Sequence, residues 1–154
     1  MKTARIASVL LVSLFTLAAS AQGTSKCEAA LKPFEDAVGT LNYNDAAALM
    51  PDLRKKCPDF SEKLYLYGQK VLEYKIETAA TPADKQLYVD DLAALYTEYA
   101  RYFPKGDGVV KKALLQKEHS LAKDEEVFKS LDLALVSHKD AFTDYNAIET
   151  YYNL

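Results

Sequence analysis

Two cysteines, two histidines, one lysine set on an apolar helix face and eleven tyrosines are the side chains here whose types and spacing could do chemistry. Cys27 precedes the first of two helical patterns and Cys57 follows the second. An antiparallel hairpin brings those ends together, so in an oxidising compartment the pair is expected to form a disulfide. Two free thiols, or two metal ligands, are the alternatives. His119 and His138 have no second His or Cys at metal-ligand spacing, and Glu118 points to a different side of a helix from His119. No Ser, His and acid arrangement follows from linear spacing. The expectation is a non-catalytic chain with no metal centre and no cofactor.

Lys75 is the anomaly. At about 100° per residue it falls between Leu64, Gly68, Val71 and Leu72, while Glu73 and Glu77 take the opposite side. An ammonium left dry and unpaired is costly, so either its four-carbon stem snorkels to solvent or its head reaches a carboxylate. The following helix offers Asp91 and Glu98, seven residues apart on one side of its apolar stripe. An ion pair of Lys75 with Asp91 or Glu98 would fix the register of that hairpin. The tyrosines are the best binding lead, because an aromatic ring with a polar tip serves both as core filling and as an anchor for peptides or sugars. On the helix from Pro82 they fall at 88, 96, 99 and 102, too broad a spread for one buried face. Core packing accounts for most of them. Tyr96, toward the edge of the stripe, is the candidate for ligand or partner contact.

These side chains depend on helices. The stretch from Leu64 to Phe103 holds two long amphipathic patterns joined at Ala80, Thr81 and Pro82, and the rest of the chain is expected to stack on that hairpin. Thr81, Pro82 and Asp84 read as N-cap, first-turn proline and early acid. Gly68 costs helix propensity, and its expected use is the close approach of a neighbouring helix. Upstream, Ala30, Leu31, Phe34, Ala37 and Val38 form a first helix, which kinks or begins at Pro33. Gly39, Thr40 and Leu41 break it, Asn44 can cap the second, and Pro58 enforces that helix's stop. A third helix is expected to start near Ser61. Downstream of the loop at Pro104 to Gly108, Val109 to Ala122 suggests a helix, Asp124 can cap another and Thr143 a last one. Tyr151, Tyr152 and Leu154 leave an apolar stripe at the end, so the chain reads as a fragment, or a short member, of a longer array.

The start is basic (Lys2, Arg5), then apolar from Ile6 through Ala18, then small at Ala19, Ser20 and Ala21. That is the layout of a secretory signal cleaved after Ala21, and the apolar run falls short of the roughly 20 residues that span a bilayer. Residues 22–154 are expected to be a single domain that does not span a membrane, in the periplasm or outside the cell. Removing Lys2 and Arg5 takes the formal charge from -3 to -5, with no basic footprint for nucleic acid.

Helical hairpins over roughly 22–59, 60–104 and 105–142 point to a solenoid, with a compact bundle as the rival. Tyr43, Ala46, Met50, Leu53 and Pro58 fall at the spacing of a tetratricopeptide second helix, where Tyr43, Ala46 and Pro58 match outright. With Asn42, Tyr43 and Asn44, Lys56, Cys57 and Pro58, Tyr74 to Glu77, and Leu95, Tyr96 and Arg101 to Phe103, the chain resembles divergent tetratricopeptide-type proteins exported by Gram-negative bacteria. The resemblance implies an all-α fold of antiparallel hairpins stacked as a short TPR-like solenoid, and nothing catalytic. The function expected is a scaffold that binds an unknown protein or peptide. The alternative is a module that binds a small ligand such as a glycan through exposed tyrosines.

Overall fold

The computed structural model describes residues 16–137, 139 and 142–154, with side chains described from residue 25 onward. The expected signal segment lies outside the described residues up to residue 15, and so does His138. Among the described residues the chain is all-α, with seven helices and no strand: α1 Thr16–Gly39, α2 Tyr43–Lys56, α3 Lys63–Glu77, α4 Pro82–Tyr102, α5 Gly108–Glu118, α6 Asp124–Ser137 and α7 Tyr145–Asn153. None of these is long and apolar enough to cross a membrane.

Neighbours in sequence are neighbours in space. α1 packs on α2, α2 on α3, α3 on α4, α4 on α5 and α5 on α6, while α7 lies against both α5 and α6. Most of the buried apolar surface sits in a first core built by α1 to α4, with Phe34, Ala46, Leu64, Tyr65, Val71 and Leu95 at its centre and Leu115 of α5 reaching into it. A second, smaller core joins Val110 and Ala113 of α5 to Val127, Leu131 and Ala134 of α6, then to Phe142 and to Ala147 of α7.

Local chemistry sets the helix ends. Thr81 caps α4 as expected, its hydroxyl oxygen accepting from Asp84 N at 3.1 Å with Pro82 in the first turn. Pro33 neither starts nor ends α1, which runs through it to Gly39. Asn44 is not the cap of α2, which begins one residue earlier at Tyr43. Asp144 rather than Thr143 caps α7, with its carboxylate accepting from Asn146 N at 2.7 Å and Ala147 N at 3.4 Å. α3 starts two residues beyond Ser61, whose hydroxyl accepts weakly from Lys63 N at 3.3 Å.

The turns that fold α1 back onto α2 and α5 back onto α6 share one design. Asn42 N donates to Ala37 O at 2.8 Å and Leu41 N to Val38 O at 3.0 Å, the nested pair of a Schellman motif. Leu121 N to Gln116 O at 2.9 Å and Ser120 N to Lys117 O at 3.3 Å repeat it. The residue in left-handed backbone is Leu41 (φ 58°) in the first and Ser120 (φ 54°) in the second, where glycine is usual.

Gly68 has the close contact its position calls for. A Cβ there would meet Leu95 Cδ2 at 3.2 Å and Met50 Sδ at 3.3 Å, so α3 sits tightly between α2 and α4. Gly108 brings α5 closer still to its neighbour, since a Cβ would meet the backbone of α4 at Ala100 N, 2.8 Å, and Tyr96 O, 3.0 Å.

Candidate functional site

Cys27 and Cys57 are bonded, with Cα atoms 5.6 Å apart, and tie α1 to the end of α2. Both are accounted for by this link, and among the described residues no free cysteine remains. No group of three or more His, Cys, Asp or Glu side chains among the described residues is placed to hold a metal ion.

The expected ion pair of Lys75 with Asp91 or Glu98 is corrected. Lys75 Nζ donates to Asn44 Oδ1 at 3.1 Å and lies 5.3 Å from the centre of the Tyr88 ring, at the opposite end of α4's outer edge from Glu98. The two acids are held instead by Arg54, near the end of α2. Its Nε and Nη2 donate to the two oxygens of Glu98 at 2.9 and 2.8 Å, and Nη1 donates to Asp91 at 2.6 Å. The physical reason is geometric: a guanidinium can bridge two carboxylates seven residues apart with separate donors, whereas the Lys75 ammonium sits beside Tyr88, near the other end of α4 from Glu98. Burial alone would lower the Arg54 pKa, but the hydrogen bonds to Glu98 and Asp91 outweigh it and hold the pKa above its ordinary value.

Tyr96, the candidate for ligand or partner contact, is buried except for an edge that lines a groove. Only 5% of it reaches solvent, and burial pushes its pKa up. α5 packs against α4 at Tyr96 and Ala100, and Val89 is buried as well, so the buried face of α4 is wider than the stripe of Leu92, Leu95 and Tyr99. Tyr65, stacked on Tyr99 at 5.4 Å, and Tyr99 itself are buried in the first core, with Phe103 against both. The Tyr65 hydroxyl donates to Pro58 O at 2.8 Å, and that of Tyr99 donates to Glu62. The tyrosines with most surface in water are on α7: Tyr145, 74% exposed, and Tyr152, 80% exposed, with Ile148 between them on the same face.

A groove of about 870 Å³ lies over the layer made by α4 and α5. α3 forms one wall with Gln69, Glu73 and Glu77, residues four apart that fall on one ridge. α7 forms the other with Asn146, Glu149, Thr150 and Asn153, the polar face of a helix whose apolar face holds Ala147 and Tyr151 in the second core. Between them lie Ile76, Leu92, Leu114 and the edge of Tyr96. Lys111 spans the floor to one wall, donating to Gln69 Oε1 at 2.8 Å, and Gln69 in turn donates to Glu73 at 2.7 Å. Lys111 also lies 3.3 Å from Asp107 Oδ2, while the other oxygen of Asp107 is buried with no hydrogen-bond partner. That carboxylate stands at the N-terminus of α5, where the helix dipole favours its charge.

Sequence reasoning missed this groove because its walls come from helices more than 60 residues apart, and because the polar spacing at 146, 149, 150 and 153 reads alone as an ordinary solvated face. Comparison with protein-family models, with curated proteins and with solved structures finds no match to this chain.

Proposed function

We propose that this chain is an exported, non-catalytic helical scaffold that binds a protein or peptide segment in the groove between α3 and α7. The groove is the observation that carries this reading. Its volume of about 870 Å³ holds several residues of extended chain, its apolar floor gives burial, and its polar walls give orientation. The serial packing of successive hairpins supports a short TPR-like stack, in which repeats cover one another and a lateral surface is left for a partner. The Cys27–Cys57 bond fits an oxidising compartment such as the periplasm or the cell exterior.

The test is selection of peptides from a random displayed library on the immobilised protein. Selected peptides are expected to compete with one another and to lose binding on Thr150→Trp or Asn153→Trp, which fill the groove from its wall. Leu133→Ser, on an exposed face outside the groove, should leave them bound. Peptides indifferent to both wall substitutions would remove the groove from the account. The exposed Tyr145 and Tyr152 favour a second reading, a glycan-binding surface on α7. A saturable change in tyrosine fluorescence on titration with oligosaccharides, abolished by Tyr152→Ala, would support it.

A further inference from the structure

The charges lining the groove are not balanced. Five carboxylates reach it, Glu73 and Glu77 from α3, Glu118 from α5, and Asp144 and Glu149 from the start and middle of α7. Three lysines reach it too, but Lys117 is already paired with Asp124 at 2.7 Å and Lys111 with Asp107 at 3.3 Å, acids that do not line the groove. Lys85 is the lysine there without an ion pair among the described residues. On the acidic side, Glu73, Glu77 and Glu149 have no cationic partner among the described residues, and all three are exposed. They stand on opposite walls, so their fields add over the floor between them.

We propose that the groove selects a cationic segment, a peptide whose Lys or Arg side chains reach Glu73, Glu77 and Glu149 while its apolar side chains rest on Ile76, Leu92 and Leu114. This rests on the peptide-binding reading and adds its charge preference. A lysine or arginine serves both parts of such a site, since its aliphatic stem covers apolar floor while its head meets a wall carboxylate. An acidic segment would meet unpaired carboxylates on both walls, which is the repulsive element that makes a preference sharp. The floor argues for a peptide rather than a simple inorganic cation: Ile76, Leu92 and Leu114 offer an ion no oxygen ligand.

Three fluorescently labelled peptides of equal length test this, with identical apolar residues and with Lys, Ser or Glu at the alternating positions. Binding to the intact chain is followed by anisotropy at low and at physiological salt. The Lys peptide is expected to bind saturably, about tenfold tighter than the Ser peptide at low salt, with the gap narrowing as salt is added. The Glu peptide should bind weakest. Glu73→Gln/Glu77→Gln/Glu149→Gln, confined to exposed side chains and checked for helix content by circular dichroism, should bring the Lys peptide to the level of the Ser peptide. Equal binding of all three, or tightest binding of the Glu peptide, would overturn the charge preference and leave the peptide groove standing if Thr150→Trp still blocks it. Binding that persists in Thr150→Trp, or no binding by any of the three, would overturn both.

Discussion

Arg54 joins α2 to α4 with one side chain, Nε and Nη2 holding Glu98 and Nη1 holding Asp91. Asp91 and Glu98 were legible as acids on one side of α4 waiting for a cation, and the structure puts a cation on them. Which cation was not legible, because Arg54 lies in the last turn of α2, where a cation already complements the helix dipole, and only the packing of α2 across α3 toward α4 turns it inward. Its side chain is 13% exposed, against 42% for Asp91 and 34% for Glu98. Arg54→Ala strands two carboxylates that keep part of their hydration, so it should cost about 2 kcal/mol, less than a fully buried pair. Lys75→Ala removes one neutral-acceptor hydrogen bond and one ring contact and should cost about 0.5–1 kcal/mol. Urea melts that rank the two the other way would place the ion pair back on Lys75. The buried tyrosines set a second expectation. Burial raises the pKa values of Tyr65, Tyr96 and Tyr99 above the ordinary tyrosine value. The unfolded chain then loses those protons first, so stability is unaffected below about pH 10 and falls as pH rises from there toward the folded-state values, by up to about 1.4 kcal/mol per pH unit for each group. Tyrosinate absorbance from these three should appear together with loss of helix.

At the scale of the element, the sequence located helices well and their boundaries less well, for reasons visible in the turns. The break expected over Gly39, Thr40 and Leu41 is where α1 ends, but which of the three takes the left-handed backbone of the Schellman motif was not legible: it is Leu41, not the glycine. Ser120 gives no warning either, since a serine in left-handed backbone has no pattern of its own. Leu41 is 70% exposed, so its side chain adds little packing to offset the strain. Leu41→Gly and Ser120→Gly should each stabilise the chain by about 0.5–1 kcal/mol, the relief of left-handed strain exceeding the added entropy of the unfolded glycine. Two other glycines should respond in opposite ways to alanine. At position 68 the new methyl meets the mobile ends of Leu95 and Met50, and the helix-propensity gain of roughly 1 kcal/mol offsets the crowding, leaving Gly68→Ala near neutral. At position 108 it meets the backbone of α4, which cannot swing aside, so Gly108→Ala should cost about 1–3 kcal/mol and shift α5 away from α4. Thermal melts of the two variants side by side check the contrast.

The molecule as a whole is divided by its two cores, and the division should be visible in its dynamics. Among the described residues the first holds fifteen buried residues and the second seven, and the first is further tied by the Cys27–Cys57 bond and the Arg54 clamp. The second leaves Leu133, Val136, Tyr145 and Tyr152 more than 60% exposed on α6 and α7, so less of its apolar surface is protected from water. Sequence periodicity could not foresee this asymmetry, because the apolar patterns of α5 to α7 look as strong as those before them and only burial separates them. Opening free energy follows local burial, so the amides of α6 and α7 should exchange with deuterium through a partial opening well below the global unfolding energy. α3 and α4 should exchange only on global unfolding. α5 stands at the boundary, holding Leu115 in one core and Val110 and Ala113 in the other. Reduction of the disulfide releases a loop closure worth roughly 3–4 kcal/mol in the chain-entropy model, and should speed exchange in α1 and α2 while α6 and α7 keep their own rate. The groove straddles this division, with one wall on α3 and the other on α7. A peptide bound across it links the less stable wall to the more stable one, and by mass action it should slow exchange in α7 more than anywhere else. Uniform exchange along the free chain would refute the division, and a bound peptide that leaves α7 unprotected would show that its site does not reach that wall.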